Sequence, residues 1–490
     1  MKHHYVACDL GAESGRVMLG TLENGRLHLE EIHRFPTGGT RWFGSLRWNL
    51  PRIYEELLAG LGKIRDVSPA GVSVDSWGVD YALFRRDVPL LSLPFHYRDG
   101  RTEALYGEAL ERLGREAIFR ETGIQSMNIN TLFQLLAEAA KSPELLALAE
   151  RFLNIGDYFN YLLSGVARAE ESLASTTQLY DPRTRQWACG LIAKAGLAES
   201  IFPEIVPSAT VLGPLLPGIG AALPAGDQWS QTKVIATCSH DTGCAVAAVP
   251  ATGEQWAYLS SGTWSLVGVE LPEPLMNEAV ERANFTNEAG VAGTTRFLKN
   301  TAGLWILQEC RRAWKQQGES LDYAALAQQA GEAEPLRSLI NPGDPCFLRP
   351  DGMPERIAQY CRERGEPVPE TPGAFARCIF ESLALLYRET LGQITTLTGR
   401  RLRTLHIVGG GSRNALLNQF SANATGLTVL AGPAEATATG NLLIQALALG
   451  HLPSLAALRQ VVADSVTPAR FEPQEAPLWD AAYERFLNLH

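Results

Sequence analysis

Apolar residues in this chain come in short runs broken by small polar turns. The first such pattern stands near the start. Tyr5–Gly20 reads YVACDL-GAESG-RVMLG, an apolar run, a glycine-containing turn and a second apolar run. Gln255–Glu270 repeats the pattern as QWAYLS-SGTW-SLVGVE. Hydrophobic runs joined through such a turn predict β-hairpins. Val72–Phe84 (VSVDSWGVDYALF) predicts a third. Between these runs, Thr131–Ala140, Phe375–Leu397 and Asn414–Thr425 carry apolar residues at helical spacing. The chain therefore reads as mixed α/β, with a hairpin opening each half. Pro203–Gly226 is rich in Pro and Gly, which disfavour a continuing helix, and predicts a connection ahead of a second domain. The boundary is expected between Val234 and Pro250, giving domains 1–243 and 244–490.

The 490 residues allow several domains at roughly 100–200 residues each. With 46% apolar and 20% charged residues the chain is globular in composition, which excludes overall disorder. Its 43 basic and 53 acidic residues leave a net charge of −10, a poor match to a nucleic-acid backbone. The opening text MKHHYVACD meets an acid too early for a secretory apolar core. The most apolar stretch, Leu442–Leu458, is interrupted by Gln445, Gly450, His451 and Pro453, so neither membrane nor nucleic acid is an expected partner. The eight cysteines are scattered and form no Cys-x-x-Cys pair, which fits reduced thiols and a cytoplasmic location.

Several common motifs fail. Gly60-Leu61-Gly62-Lys63-Ile64 lacks the hydroxyl and the first glycine of a P-loop, and Gly409-Gly410-Gly411-Ser412-Arg413-Asn414 misses the last glycine of a dinucleotide fingerprint. Gly71-Val72-Ser73-Val74-Asp75 is no hydrolase elbow, and no His-Glu-x-x-His occurs.

Five constellations remain. In Asp9-Leu10-Gly11-Ala12-Glu13-Ser14-Gly15-Arg16 an acid ends a β-run beside a small-residue turn. Such a turn lets backbone N–H groups approach a phosphate, and the acid can serve Mg²⁺; an ordinary hairpin with a solvated Asp is the equal alternative. Ser260-Ser261-Gly262-Thr263-Trp264 offers a second turn of this kind. Leu405–Ser412, a strand running into three glycines, offers a surface on which backbone lies flat against a ligand. In Ser239-His240-Asp241-Thr242-Gly243 the Asp follows an apolar run; it is either a helix N-cap or a general base for a hydroxyl. Asp75–Tyr81 with His96–Asp99 mixes flat aromatic faces and hydrogen-bonding groups, as a sugar site does, unless Trp77 and Tyr81 are core aromatics.

In order along nearly the whole chain, DLGAESGR, VDSWGVDY, SHDTGCAV, LSSGTWS, LHIVGGGSRNALLNQFSANATG and GPAEATATGN resemble the FGGY family of carbohydrate kinases. The resemblance implies an α/β chain of two ribonuclease-H-like domains of the actin/Hsp70-like ATPase fold, with a catalytic cleft between them. It implies ATP and Mg²⁺ as cofactors, a small sugar as substrate, and a monomer or homodimer. VDSWGVDYAL, LPFHYRDGRT and FLKNTAGLWILQ resemble the branch acting on L-rhamnulose, phosphorylated at its 1-hydroxyl; L-fuculose or L-ribulose are the alternatives. By the same resemblance Asp241 is the catalytic base and Asp9 the metal residue. Ala12, Glu13, Ser14, Gly15, Arg16, Thr263, Gln308 and Gly410 contact the nucleotide, and Gly78, His240, Asp241, Thr242 and Asn300 the sugar. Glu13 departs from the small residue usual at this place. A carboxylate aimed at phosphates is repelled, so Glu13 is expected to point away or to be neutralised by Arg16 or a metal. An actin-fold ATPase acting as a binding module is a rival that leaves SWGVDY and SHDT unexplained. A sugar-sensing repressor is disfavoured by the acidic charge.

Overall fold

The computed structural model describes residues 2–224, 226–349 and 352–489. The chain forms two compact units. One comprises Met1–Pro250, Glu270–Phe297 and Ala436–Ser465; the other comprises Ala251–Val269, Leu298–Glu435 and Val466–His490. The first crossing, after Pro250, falls at the end of the expected boundary region, but the units are not contiguous in sequence.

The N-terminal unit is built on β1 (Lys2–Leu10), β2 (Ser14–Glu23), β3 (Arg26–Pro36), β4 (Gly71–Ser76), β5 (Tyr81–Arg85), β6 (Arg151–Asn154), β7 (Thr210–Pro214) and β8 (Lys233–Ala236). Its main sheet has the order β7-β8-β4-β1-β2-β3. β1 and β2 form the expected antiparallel hairpin, while β4 runs parallel to both β1 and β8. Residues Val6–Leu10 and all of β4 are buried, as continuous apolar runs are when both sheet faces are covered. The register sets Asp9 opposite Arg16 and beside Asp75.

Two sequence expectations are corrected here. Val72–Phe84 is not a hairpin: β4 lies inside the main sheet, and β5 pairs instead with β6. The chain turns away between them, with Val79 at φ 65° and the Asp80 carbonyl held by Asn154. The Pro/Gly-rich span is not an interdomain connection either. Its residues Thr210–Pro214 form β7, antiparallel to β8 at the sheet edge, where Pro is tolerated. Ala225 of that span lies outside the described residues.

The helix Ala436–Ala448 covers this sheet. Gln445 donates to the Val6 carbonyl and Asn441 to Asp75. It also presses on the helix Asp241–Ala247: a Cβ on Gly440 would stand 1.9 Å from the Cys244 carbonyl oxygen.

The second unit contains β9 (Trp256–Ser261) and β10 (Trp264–Leu271), the expected second hairpin. Later come β11 (Thr286–Ala289), β12 (Thr295–Ala302), β13 (Thr404–Val408), β14 (Thr428–Ala431) and β15 (Ala469–Phe471). The chain passes from one unit to the other within β10 and within β12; β11 belongs to the N-terminal unit. The second sheet runs β11-β12-β10-β9-β13-β14-β15. Each sheet thus has a third strand, a hairpin and two parallel strands in the same order, β3-β2-β1-β4-β8 and β12-β10-β9-β13-β14, closed by an antiparallel edge strand. This is the ribonuclease-H-like arrangement, twice. The helices expected at Thr131, Phe375 and Asn414 are present as Thr131–Lys141, Pro372–Thr398 and Ala415–Thr425, the last capped by the Asn414 side chain.

Candidate active site

The turn between β1 and β2 is braced from β3 outward. Gly11 N–H donates to the Ser14 carbonyl at 3.1 Å, and Thr37 donates from its N–H to Glu13 and from its hydroxyl to Gly11 at 2.6 Å. Ala12 is half-buried and Glu13 is exposed at the tip. Gly15 is buried against Phe35, whose ring would lie 2.5 Å from a Cβ there. Arg16 donates to the Asp9 carboxylate at 2.5 Å. Burial pushes the Asp9 carboxyl up, Arg16 pulls it down, and Asp241 pushes it up again. Asp75 is driven well above the carboxylate range by burial and by Asp9, despite the Asn441 hydrogen bond. Asp9, Asp75 and Asp241 therefore lie within electrostatic reach of one another, an arrangement that a cation relieves.

Among the described residues no three or more His, Cys, Asp or Glu gather as an all-protein metal cage. The buried acids suit a metal that keeps most of its ligands as water and phosphate, as Mg²⁺ does with one or two carboxylates. Asp9 fits that role.

Asp241 is held by a frame of backbone hydrogen bonds. Ser76 N–H donates to the Ser239 carbonyl at 2.9 Å, tying β4 to the 239–241 segment. Glu170, fully buried, accepts the N–H of Ser172, Leu173 and Ser239 and the hydroxyls of Ser172 and Ser208. His240 N–H donates to Ser172 Oγ at 3.0 Å. The helix Glu171–Thr176 also holds Gly78, where a Cβ would meet Thr176 at 2.9 Å, and Thr176 Oγ1 accepts from Val79. One short helix thus positions both segments expected at the sugar.

His240 occupies the cap position, and Asp241 is the first helical residue, not the cap. Asp241 Oδ1 accepts from Thr242 N–H at 2.5 Å and Thr242 Oγ1 at 3.1 Å. The Asp241 side chain remains 28% exposed, while His240 is 9% exposed, so the carboxylate is reachable. Burial raises its pKa, and His240 and Thr242 hold it down. A reachable carboxylate whose pKa is pulled toward neutrality is the chemistry of a general base.

Trp77 and Tyr81 are core aromatics. Trp77 stacks on Trp48 with centroids 3.9 Å apart. Asp80 accepts from Trp48 Nε1, Trp77 Nε1, Gln134 Nε2 and Tyr97 N–H. Burial nonetheless pushes Asp80 up to about 6.

In the second unit the β9–β10 turn closes with Gly262 N–H on the Trp264 carbonyl, and the Thr263 carbonyl accepts from Trp305 N–H at 3.1 Å. The glycine run after β13 folds over this turn. Gly409 has φ 82°, and a Cβ on Gly411 would stand 2.0 Å from Ser261 Oγ. Gly410 faces open space. A 3-10 turn, Gly410–Arg413, stands between the first of these glycines and the helix expected from Asn414. Gln308 lies in the first half of the helix Trp305–Gln316, half-buried, its Oε1 without a hydrogen-bond partner. Asn300 is half-buried on β12. Gly409 and Gly411 thus bring the glycine run against Ser261 by backbone approach.

Sequence reasoning missed Thr37, Glu170, Glu288 and Arg296. Only an acid or base inside an otherwise apolar strand, as in TTRFL, could have pointed to any of them.

Residues 4–247 match the N-terminal domain of the FGGY family of carbohydrate kinases, and residues 257–449 match its C-terminal domain. A rhamnulokinase of Bacteroides thetaiotaomicron is 44% identical over 496 aligned residues, covering 100% of this chain and 99% of its own. A rhamnulokinase of Enterococcus faecalis is 42% identical, covering 95% of this chain and 93% of its own. Among solved structures, a xylulose kinase from Lactobacillus acidophilus superposes with a TM-score of 0.80 at 15% identity, covering 99% and 97% of the two chains. Plasmodium falciparum glycerol kinase gives a TM-score of 0.78 at 15% identity, with the same coverage. These two likenesses concern the fold alone.

Proposed function

The chain belongs to the FGGY family of carbohydrate kinases, and from that membership we propose that it transfers the γ-phosphoryl group of ATP to the 1-hydroxyl of L-rhamnulose. The products are L-rhamnulose 1-phosphate and ADP. The full-length similarity to proteins named rhamnulokinase supports this substrate. The observation that carries the mechanism is the reachable Asp241 carboxylate, fixed at a helix start and raised in pKa.

Asp241 orients the 1-hydroxyl and takes its proton as the new O–P bond forms and the bond to the ADP oxygen breaks. Little covalent chemistry falls to the protein, so positioning and charge stabilisation supply most of the rate. Gly78, His240, Thr242 and Asn300 orient the sugar. The turn residues Ala12, Glu13, Ser14, Gly15 and Arg16, with Thr263, Gln308 and Gly410, hold the nucleotide, chiefly through backbone donors. Mg²⁺ bound at Asp9 would neutralise charge on the phosphates. The scattered unpaired thiols support a cytoplasmic enzyme, working as a monomer or homodimer.

An ADP-coupled assay across L-rhamnulose, L-fuculose, L-ribulose, D-xylulose and glycerol tests the reading. L-Rhamnulose is expected to give the highest kcat/KM. Preference for another acceptor would reassign the substrate, and ADP release independent of any sugar would overturn the kinase reading.

A further inference from the structure

Behind His240 lies a buried ion pair that the scheme above leaves without a task. Arg296, on β12, is fully buried. Its guanidinium is shared among three partners of the N-terminal unit. Nε donates to the Ala289 carbonyl at 3.0 Å, Nη1 lies 3.1 Å from Glu288 Oε2, and Nη2 lies 3.2 Å from His240 Nδ1. Glu288 Oε2 is also 3.2 Å from the same Nδ1. On the far side of the ring, Nε2 stands 3.4 Å from Asp241 Oδ1. Gly243 lies beside the guanidinium: a Cβ there would stand at ordinary contact distance, 3.4 Å, from Arg296 Cζ, and its close approach is to Cys238, whose Sγ would be 2.2 Å away.

These contacts discriminate between the protonation forms of the imidazole. A guanidinium can only donate and a carboxylate can only accept. With the proton on Nδ1, the ring turns a hydrogen toward the Arg296 donor and a lone pair toward the Asp241 carboxylate; only the Glu288 contact is favourable. With the proton on Nε2, Nδ1 accepts from Arg296 and Nε2–H faces Asp241. Glu288 then has its charge balanced by Arg296. An imidazolium would be met by Glu288 and Asp241, but it would turn Nδ1–H against the Arg296 donor and lose that hydrogen bond. The second hydrogen bond of a histidine commonly sets which nitrogen carries the proton.

We propose that Arg296 is a positioning residue for phosphoryl transfer: by occupying Nδ1 it holds His240 as the neutral Nε2–H tautomer, so that the N–H side of the ring is turned toward Asp241. This rests on the reading of Asp241 as the base. Thr242 N–H and hydroxyl hold Oδ1, and Nε2–H adds an electrostatic contact to the same oxygen at 3.4 Å, which leaves Oδ2 to receive the hydroxyl proton. Without the clamp, the ring offers a lone pair to the same oxygen, and the orientation that Thr242 gives the carboxylate is disfavoured.

The test is a long-range ¹H–¹⁵N spectrum of the full chain labelled at histidine, near neutral pH, with His240→Gln identifying the signal. A bare Nδ1 and a protonated Nε2 are expected. A protonated Nδ1 or an imidazolium would overturn the proposal. In the kinetic arm, Arg296→Met is expected to lower kcat by about 10- to 100-fold with the KM for ATP unchanged. Arg296→Lys, which keeps a donor and a counter-charge for Glu288, is expected to retain more of kcat. A folded Arg296→Met protein with a changed His240 tautomer and unchanged kcat would also overturn it. If Arg296→Met does not fold, the wild-type spectrum and Arg296→Lys decide. Should the wild type phosphorylate no ketose while showing the Nε2–H tautomer, the reaction reading falls and the clamp on His240 stands.

Discussion

Two acids in the 170–241 frame do opposite work. Asp241 is partly exposed and has few donors, so its charge is available for chemistry. Glu170 is sealed and surrounded by donors, so its charge organises backbone. Replacing Asp241 with Asn keeps size and polarity but removes the proposed proton acceptor. The expected loss in kcat is about 10²–10⁴, with sugar and nucleotide binding preserved, as steady-state kinetics and calorimetry would register. A near wild-type rate would leave Asp241 as only a helix-start residue. Glu170→Ala should instead strand three buried N–H groups at about 1–3 kcal/mol each, giving a stability loss of about 3–9 kcal/mol in urea unfolding. Because the stranded groups include Ser239 N–H, kcat should fall as well.

At the scale of elements, packing of the helices Asp241–Ala247 and Ala436–Ala448 decides whether the site exists. Their closest approach needs Gly440, since a Cβ there overlaps the Cys244 carbonyl. Gly440→Ala should cost about 1–3 kcal/mol by overpacking, seen as a lowered unfolding midpoint, and should depress kcat because the displaced helix begins at Asp241. The segment around His96 carries a pH signature. His96 is buried against Trp48, with centroids 4.0 Å apart, and burial lowers its pKa from 6.5 to about 3. The unfolded chain therefore binds this proton first, and stability is lost as pH falls from about 6.5 toward 3. Between pH 6.5 and 5 that loss is about 2 kcal/mol. Asp80, raised to about 6, acts in the opposite direction below that pH, since its folded form keeps a proton the unfolded form has released. In His96→Asn the His96 contribution should vanish. The stability gap between wild type and variant should then narrow by about 2 kcal/mol from pH 6.5 to 5; a constant gap would refute the burial argument.

Across the whole molecule, the same five-strand order appears in both sheets, so the polar turn after the first strand recurs as Gly11–Glu13 and Gly262–Thr263. If the chain binds nucleotide as proposed, Mg·ADP at a hundred times its dissociation constant should raise unfolding stability by about 2.7 kcal/mol, as scanning calorimetry measures. No shift would count against nucleotide binding altogether.

What could be read from residues alone was local. Apolar runs flanking a glycine turn gave two hairpins because both strands of each pair adjoin in sequence. The same logic failed for Val72–Phe84, where β4 finds its partners in β1 and β8 and the neighbouring strand in sequence is not the neighbour in space. It failed again at Thr210–Pro214, where Pro and Gly marked a sheet edge, not a connection. The motif residues were visible because chemistry at a turn demands a particular short run of types, such as SHDT. Their supports were not. Glu170, Asn441 and Arg296 act across large separations in sequence, and nothing in their own neighbours reveals the carbonyls, N–H groups or ring nitrogen they meet. By itself, then, the order of residues determined which groups could react. Only the tertiary structure decided which acid is reachable, which is sealed, and which nitrogen faces the carboxylate, because burial and long-range hydrogen bonding exist only once distant segments are packed together.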